Sequence, residues 1–238
     1  MTNPDVYRHI QITKDFLALV VDPSLEALHR MRNEWAASPD PSAAFGVLEA
    51  TDLIYKTNMA FCLSIQSLWE QQIRGYLKEC VQGEMLDYPI DKIEAAKWGT
   101  QLEGHFFKIQ CIQLSSFDSY PSLLLLHLLG NACRHGDGES ARRLWIDYPD
   151  LWPGQEYYPF IDPAATTPPS IQHVNISHSL LTEFVTAIVW FWDDMEYIHG
   201  ERIVSKHWTL EKKLAEMREA KTKRLKRAPI NIKGGTAS

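Results

Sequence analysis

The chain has 238 residues, enough for one well-filled domain or for a domain with a tail, and too few for three domains. Hydrophobic residues make up 45% and charged residues 23% of the chain, a balance that excludes wholesale disorder. The formal charge of −6 is unevenly divided, with +7 on residues 206–238 and −13 on residues 1–205. The negative charge of residues 1–205 excludes binding of duplex DNA over a broad surface of this part of the chain.

The sequence also bears on the compartment. No apolar run approaches the roughly 18 residues that a membrane-spanning helix needs, and the N-terminus lacks the basic and then apolar pattern of a signal peptide. The cysteines show no short C-x-x-C spacing and lie among apolar residues, so we expect buried free thiols at Cys62, Cys80, Cys111 and Cys133. These features predict a cytoplasmic protein without a membrane partner.

Apolar residues recur at helical spacing through the first part of the chain. Residues 5–21 predict a short helical or mixed segment, and a second helix follows the turn at 22–24. Residues 41–82 predict one long helix that ends at Gly83. Glu70 and Arg74 are expected to pair on its surface. Its apolar stripe is expected in the core and consists of Phe45, Leu48, Tyr55, Met59, Cys62, Trp69, Ile73, Leu77 and Cys80.

Three further helices and a loop are expected before residue 176. Asp91 should cap a helix that runs to about Leu114, and residues 120–135 are so apolar that they predict the most buried helix. Ser140 should cap a short helix over 141–146. Residues 147–175 contain six prolines and predict a long irregular loop that wraps the surface, covers a site or pairs as a hairpin.

The last apolar helix is expected from about residue 180 to 198, with Asn175 or Ser177 as its cap. The acidic end of this helix is expected to face solvent, and the alternative is a divalent-cation site. This end consists of Asp193, Asp194, Glu196 and His199. The basic segment 206–238 is expected to be a solvated tail, helical over 211–226, with a nucleic-acid arm as the alternative. We therefore predict an all-α bundle of four to five main helices over residues 1–205, followed by this tail.

The residues best suited to chemistry lie at the end of the apolar helix 120–135. Asn131, Arg134 and His135 share one helix face, and His127 lies one turn earlier on the same stripe. An imidazole moves protons near neutral pH and a guanidinium holds phosphate, so this group suits metal-independent cleavage of RNA by its own 2′-hydroxyl. The alternative is a plain helix end capped by Gly136, which explains an amide inside an apolar helix less well.

This stretch resembles the signature helix of the HEPN superfamily of helical bundles, whose members commonly carry Arg-Asn-x-x-x-His-Gly there. Asn131, His135 and Gly136 match that motif. Gly130 occupies the place of the family's arginine, and Arg134 stands beside the histidine instead. By helix layout the resemblance extends over residues 42–200, whereas by motif it covers only about 25 residues.

The resemblance implies a cofactor-free protein of bacterial phage defence or of a toxin–antitoxin pair, usually a homodimer. Because Gly130 replaces the arginine, we expect a catalytically degenerate subunit that binds or regulates, with RNA, a nucleotide or a protein encoded nearby as its partner. The alternative is a metal-independent RNase in which His135 is the general acid or base, Arg134 stabilises the phosphate and Asn131 orients it. The other side chains expected to touch the substrate are His127, Asp137 and Arg142.

Overall fold

The computed structural model describes residues 4–152 and 169–226, and every regular element within these ranges is helical. A π-helical turn at Leu17–Val21 joins the first two helices without a break. The predicted all-α bundle is therefore confirmed. The α-helices are α1 (Pro4–Phe16), α2 (Asp22–Ala37), α3 (Ala43–Gly83), α4 (Ile90–Ala95), α5 (Thr100–Gln110), α6 (Tyr120–His135), α7 (Glu139–Asp147), α8 (His178–Arg202) and α9 (Trp208–Lys226).

The core of the bundle lies where α3, α6 and α8 pack on one another, with α1 along α8 and α2 folded back along α3. Its centre is aromatic: the Trp69 ring centroid lies 4.7 Å from that of Phe191 and 5.9 Å from that of Trp192. The helix predicted over 120–135 is confirmed as α6, and its leucines are mostly buried. Among the helices of the described ranges, none combines the length and the apolarity needed to cross a membrane.

The long helix predicted over 41–82 is confirmed as α3, but its apolar stripe is buried only from its middle onward. Phe45 and Leu48 are 70% and 67% exposed, so their assignment to the core is wrong. Near its start α3 packs on α2, and the Trp35 ring fills the space beside Gly46. The two large side chains remain outside that contact, because a helix stripe is covered only where a neighbour reaches it.

The prediction of a single helix from residue 91 to residue 114 is wrong, because this stretch forms two helices, α4 and α5. α4 begins at Ile90, so Asp91 lies in its first turn and does not cap it. The chain then passes Gly99 at φ 91°, which glycine adopts without the penalty of a Cβ. This break places Lys97 and Trp98 in the link between the two helices.

The short helix α7 and the last apolar helix α8 begin close to their predicted positions. Gly138, rather than the predicted Ser140, occupies the N-cap position of α7. Ser177 caps α8, since its Oγ accepts a hydrogen bond from the Leu180 amide at 3.2 Å. Of the two predicted caps, serine is therefore the one used, and Asn175 is not.

The irregular segment predicted over 147–175 is described only near its two ends. These ends lie together: Trp152 Nε1 donates to the Ser170 carbonyl at 3.2 Å, and the Asn175 amide donates to the Leu151 carbonyl at 2.7 Å. The choice between a surface wrap, a cover over a site and a hairpin falls on residues 153–168, which lie outside the described residues. Those alternatives stay predictions.

The four cysteines differ in exposure. Cys62 is buried, and Cys80 and Cys133 are half-buried, as their apolar surroundings predict. Cys111 is exposed at the end of α5, where it adopts the left-handed φ of 59° that terminates the helix. The prediction of a buried thiol is therefore wrong for Cys111.

The acidic end of α8 packs against basic α9 instead of facing solvent. Asp194 is 3% exposed and pairs with Lys221 Nζ at 2.9 Å and with Arg224 Nη2 at 2.6 Å. Glu196 pairs with Lys213 at 2.5 Å. The expectation of a solvated acidic end is wrong for these carboxylates, because a buried charge needs the partners that α9 supplies. The division of the chain at residue 205 stays a prediction.

Leu214 provides a test of the docking of α9, since it is 3% exposed and lies against Gly200 of α8. We expect Leu214→Ala to lower the free energy of unfolding in chemical denaturation by about 2–3 kcal/mol, because the truncation leaves a cavity. Leu225 on the same helix is 58% exposed and supplies the control. Leu225→Ala should cost less than about 0.5 kcal/mol, and equal effects of the two changes would contradict the docking.

Candidate functional site

A cleft of about 620 Å³ opens at the C-terminal end of α6. Four predicted site residues line it together: His127, Asn131, Arg134 and His135. They converge because they share one face of α6, whose opposite face is buried against α3 and α8. The other lining residues come from α3, from the link between α4 and α5, and from the turn into α7, and they are Glu70, Arg74, Lys97, Trp98, Gly136, Gly138, Glu139 and Ser140.

The other two predicted substrate-binding residues do not line the cleft. The Asp137 carboxylate accepts a hydrogen bond from the Ile171 amide at 2.6 Å and so fastens the turn after α6 to the returning chain. Arg142 lies on exposed α7 and donates to both carboxylate oxygens of Glu139, at 2.7 and 2.9 Å. Asp137 is thus engaged outside the cleft, and Arg142 pairs with Glu139 at the edge of the cleft.

Residue 130, which stands in the place of the motif arginine, faces the interior. Gly130 is buried, and a Cβ built there would run into the carboxamide of Gln66. Gln66 is fully buried, and its Nε2 donates to Glu70 at 2.5 Å. The space that an arginine side chain would need is thus taken by α3, and no side chain larger than glycine fits without displacing Gln66.

His127 and Asn131 form a hydrogen-bonded pair at the rear of the cleft. Asn131 Nδ2 lies 3.0 Å from His127 Nε2, so the amide donates to the unprotonated ring nitrogen. Burial, together with the positive charges of Arg143 and Arg134, lowers the pKa of His127 to about 4. The ring is therefore neutral at physiological pH.

Two tryptophan rings, Trp98 and Trp69, lie beside this pair. The Trp98 ring centroid lies 5.7 Å from that of His127 and 5.8 Å from that of Trp69. Trp98 is half-buried and lines the cleft, whereas Trp69 behind it belongs to the core. A half-buried indole at the wall of a cleft can stack on a planar ligand.

The cleft contains more positive charge than its own carboxylates neutralise. Lys97 and Arg134 form no ion pair with any of the described residues, and the closest hydrogen-bond partner of Arg134 is Ser67 Oγ at 3.5 Å. Glu139 is already engaged by Arg142. The two free cations at the front of the cleft can therefore receive an anion.

Glu70 and Arg74 line the cleft, where they form the predicted pair, but its placement on the exposed surface is wrong. Their side chains are 18% and 21% exposed, and the ion pair between them is long, at 3.9 Å. Arg74 is held mainly by the Ile93 carbonyl, to which its Nη1 donates at 2.7 Å. Burial raises the pKa of Glu70, and the charges of Arg74 and Arg134 offset part of that rise.

His135 differs from His127 in having no hydrogen-bond partner among the described residues. It is exposed at the last turn of α6, and it makes no hydrogen bond with any residue in 4–152 or 169–226. A histidine that serves as a general base is ordinarily held in one orientation by a second group. Within the same ranges, no three His, Cys, Asp or Glu side chains are grouped as metal ligands.

The comparisons with known proteins add no relative. No family model, no curated protein and no solved structure matches this chain.

Titration of His127 tests the described environment of the cleft. We expect its ring, followed by histidine-selective NMR, to stay neutral from pH 8 to about pH 5, because its pKa is lowered from 6.5 to about 4. The unfolded chain binds this proton near pH 6.5 and the folded chain does not, so His127 makes the free energy of unfolding fall as the pH drops from 6.5 towards 4. His127→Gln should weaken that fall, and a ring that titrates near 6.5 would contradict the buried site.

Proposed function

We propose that this protein is a HEPN-like, catalytically degenerate helical bundle that binds a nucleotide in the cleft at the end of α6, either free or at an RNA terminus. The observation that carries the proposal is the placement of two unpaired cations, Lys97 and Arg134, in the same cleft as the half-buried Trp98 ring. A base stacks on an indole, and a phosphate binds guanidinium and ammonium groups. The cleft volume also falls in the range of small-molecule sites.

Three features favour binding over catalysis. His135 has no partner among the described residues to orient it as an acid or base. His127 has a pKa near 4, so it is a poor proton donor at neutral pH. The arginine of the motif is absent, and Gln66 fills the space beside Gly130. The site retains the groups that hold a phosphate and lacks the arrangement that would move a proton to or from it.

The second candidate is a metal-independent RNase, and the clustering of Asn131, Arg134 and His135 in one cleft favours it. In that reaction the 2′-oxygen attacks the phosphorus, the bond to the 5′-oxygen breaks, and the products are a 2′,3′-cyclic phosphate and a 5′-hydroxyl. His135 would take the proton from the 2′-hydroxyl, a water molecule would give a proton to the leaving 5′-oxygen, and Arg134 would hold the phosphate charge.

The wider setting is part of the same proposal. The resemblance of residues 130–136 to the HEPN motif supports a bacterial binding or regulatory subunit in phage defence or in a toxin–antitoxin pair, acting in the cytoplasm. A homodimer and a protein partner encoded nearby remain proposals of the same standing. Light scattering on the purified chain measures the first, and the neighbouring genes identify candidates for the second.

Binding of 5′-AMP by titration calorimetry at low salt tests the proposed function. We expect Arg134→Ala to weaken binding by about tenfold or more, because it removes a charge-assisted contact to the phosphate. Arg30→Ala is the matched control, since Arg30 is exposed on α2 and does not line the cleft. It should change the dissociation constant by less than about twofold. Equal losses, or no binding by the wild type, would contradict the proposal.

Incubation with single-stranded RNA in excess EDTA distinguishes the two functions. The binding proposal predicts no cleavage by the purified wild-type chain. A 2′,3′-cyclic phosphate product that disappears in His135→Ala, with a loss of about a hundredfold or more, would establish the RNase instead. A contaminating nuclease would give the same products from the His135→Ala preparation.

A further inference from the structure

Two cysteine thiols meet where α3 and α6 cross. Gly130 of α6 lies directly against the Gln66 side chain of α3 at this crossing. Cys62 lies one turn before Gln66 on α3, and Cys133 lies one turn after Gly130 on α6. The two helices run in opposite directions here, so both steps lead to the same end of the crossing. There the Cys62 thiol donates a hydrogen bond to the Cys133 sulfur.

The two thiols differ in access and in acidity. Cys62 is fully buried, whereas Cys133 is half-buried. The hydrogen bond from Cys62 lowers the pKa of Cys133, and burial offsets part of that fall. The same hydrogen bond, together with burial, raises the pKa of Cys62. Cys133 is therefore the thiol that a small reagent reaches first and the one that ionises more readily, and Cys62 stands behind it.

The other two cysteines have different surroundings. Cys80 accepts a hydrogen bond from Gln110 Nε2 at 3.2 Å, and burial raises its pKa. Cys111 is exposed at the end of α5. Neither of them hydrogen-bonds to another thiol within 4–152 and 169–226. Cys80 and Cys111 thus supply internal controls for the behaviour of the pair.

We propose that Cys62 and Cys133 are an oxidation site that hydrogen peroxide closes to a disulfide. The Cys133 thiolate attacks one peroxide oxygen, the O–O bond breaks, and Cys133 becomes a sulfenic acid while the released hydroxide takes a proton to form water. The Cys62 sulfur then attacks the Cys133 sulfur and the S–O bond breaks. The proton of the Cys62 thiol leaves with that hydroxide as a second water. Two thiols are oxidised, and one peroxide is reduced to two waters.

The disulfide would join α3 to α6 beside the cleft. Cys133 directly precedes Arg134, whose side chain lines the cleft. A covalent bond between Cys62 and Cys133 would therefore fix the last turns of α6 against α3. This oxidation site does not rest on the proposed nucleotide binding, because the thiols and the peroxide suffice for the reaction.

Oxidation of the reduced full-length chain with a small molar excess of hydrogen peroxide tests the proposal. After alkylation of the remaining thiols, we expect the loss of two of the four free thiols and a monomer band that migrates faster on a non-reducing gel until a reductant is added. Mass spectrometry should identify the bond as Cys62–Cys133. Trypsin leaves Cys111 and Cys133 together in peptide 109–134, so a second digestion with chymotrypsin separates them. A bond to Cys80 or Cys111, or a pair that stays reduced, overturns the proposal.

Serine variants test the order of the two steps. Cys62→Ser should stop at the sulfenic acid on Cys133, which dimedone traps, whereas Cys133→Ser should leave Cys62 without a dimedone adduct. Cys80→Ser is the matched control and should form the disulfide as the wild type does. Dimedone added to the wild type together with peroxide should label Cys133 and not Cys62, which keeps the order testable where a variant does not fold. Labelling of Cys62 in place of Cys133 overturns the proposed order of attack.

Discussion

The close approach of α6 to α3 at Gly130 is the contact on which the rest of the structure depends. A residue without a side chain lets the Gln66 carboxamide lie directly against α6, where a Cβ would collide with it. This approach buries one face of α6 in the leucine-rich core and leaves the opposite face at the mouth of the cleft. Gly130 is therefore the residue that permits this close approach of the two helices.

The cleft divides into a fixed rear and a free front. At the rear, the groups are half-buried and already hydrogen-bonded: Glu70 to Gln66, Arg74 to the Ile93 carbonyl, and Asn131 to His127. At the front, Lys97 and Arg134 are exposed cations without ion-pair partners in the described part of the chain. Fixed polar groups can discriminate between ligands, because a ligand that does not match them leaves them without hydrogen-bond partners. Exposed charges contribute to binding affinity, and that contribution becomes weaker as the salt concentration rises.

The sequence predicts the part of the site that one helix contains. His127, Asn131, Arg134 and His135 follow from helical spacing alone, because residues three or four apart share a face wherever the helix lies. Trp98 and Lys97 could not be found in that way, since they reach the cleft only through the break between α4 and α5. Gly99 was the one local signal of that break, and a glycine inside an apolar pattern does not by itself end a helix.

The same limit explains the errors in the predicted core. Periodicity shows that Phe45 and Leu48 share a stripe with Trp69, but not that α3 extends past the elements that cover it. In the opposite direction, Glu70 was expected on the surface and lies on the floor of the cleft. Local patterns define the faces of a helix, and the tertiary packing decides which lengths of each face are covered.

NMR of the full-length chain, with the indole and imidazole signals assigned, tests the central claim most directly, because it shows where 5′-AMP binds. A second cavity of about 550 Å³ lies between α8 and α9, and Trp190 lies beside it under Arg224. We predict that the ligand shifts the Trp98 indole and the His127 and His135 ring signals in one saturable process while the Trp190 indole stays unchanged. Shifts centred on Trp190, or no shift at Trp98 at millimolar 5′-AMP, would contradict a nucleotide site at the end of α6.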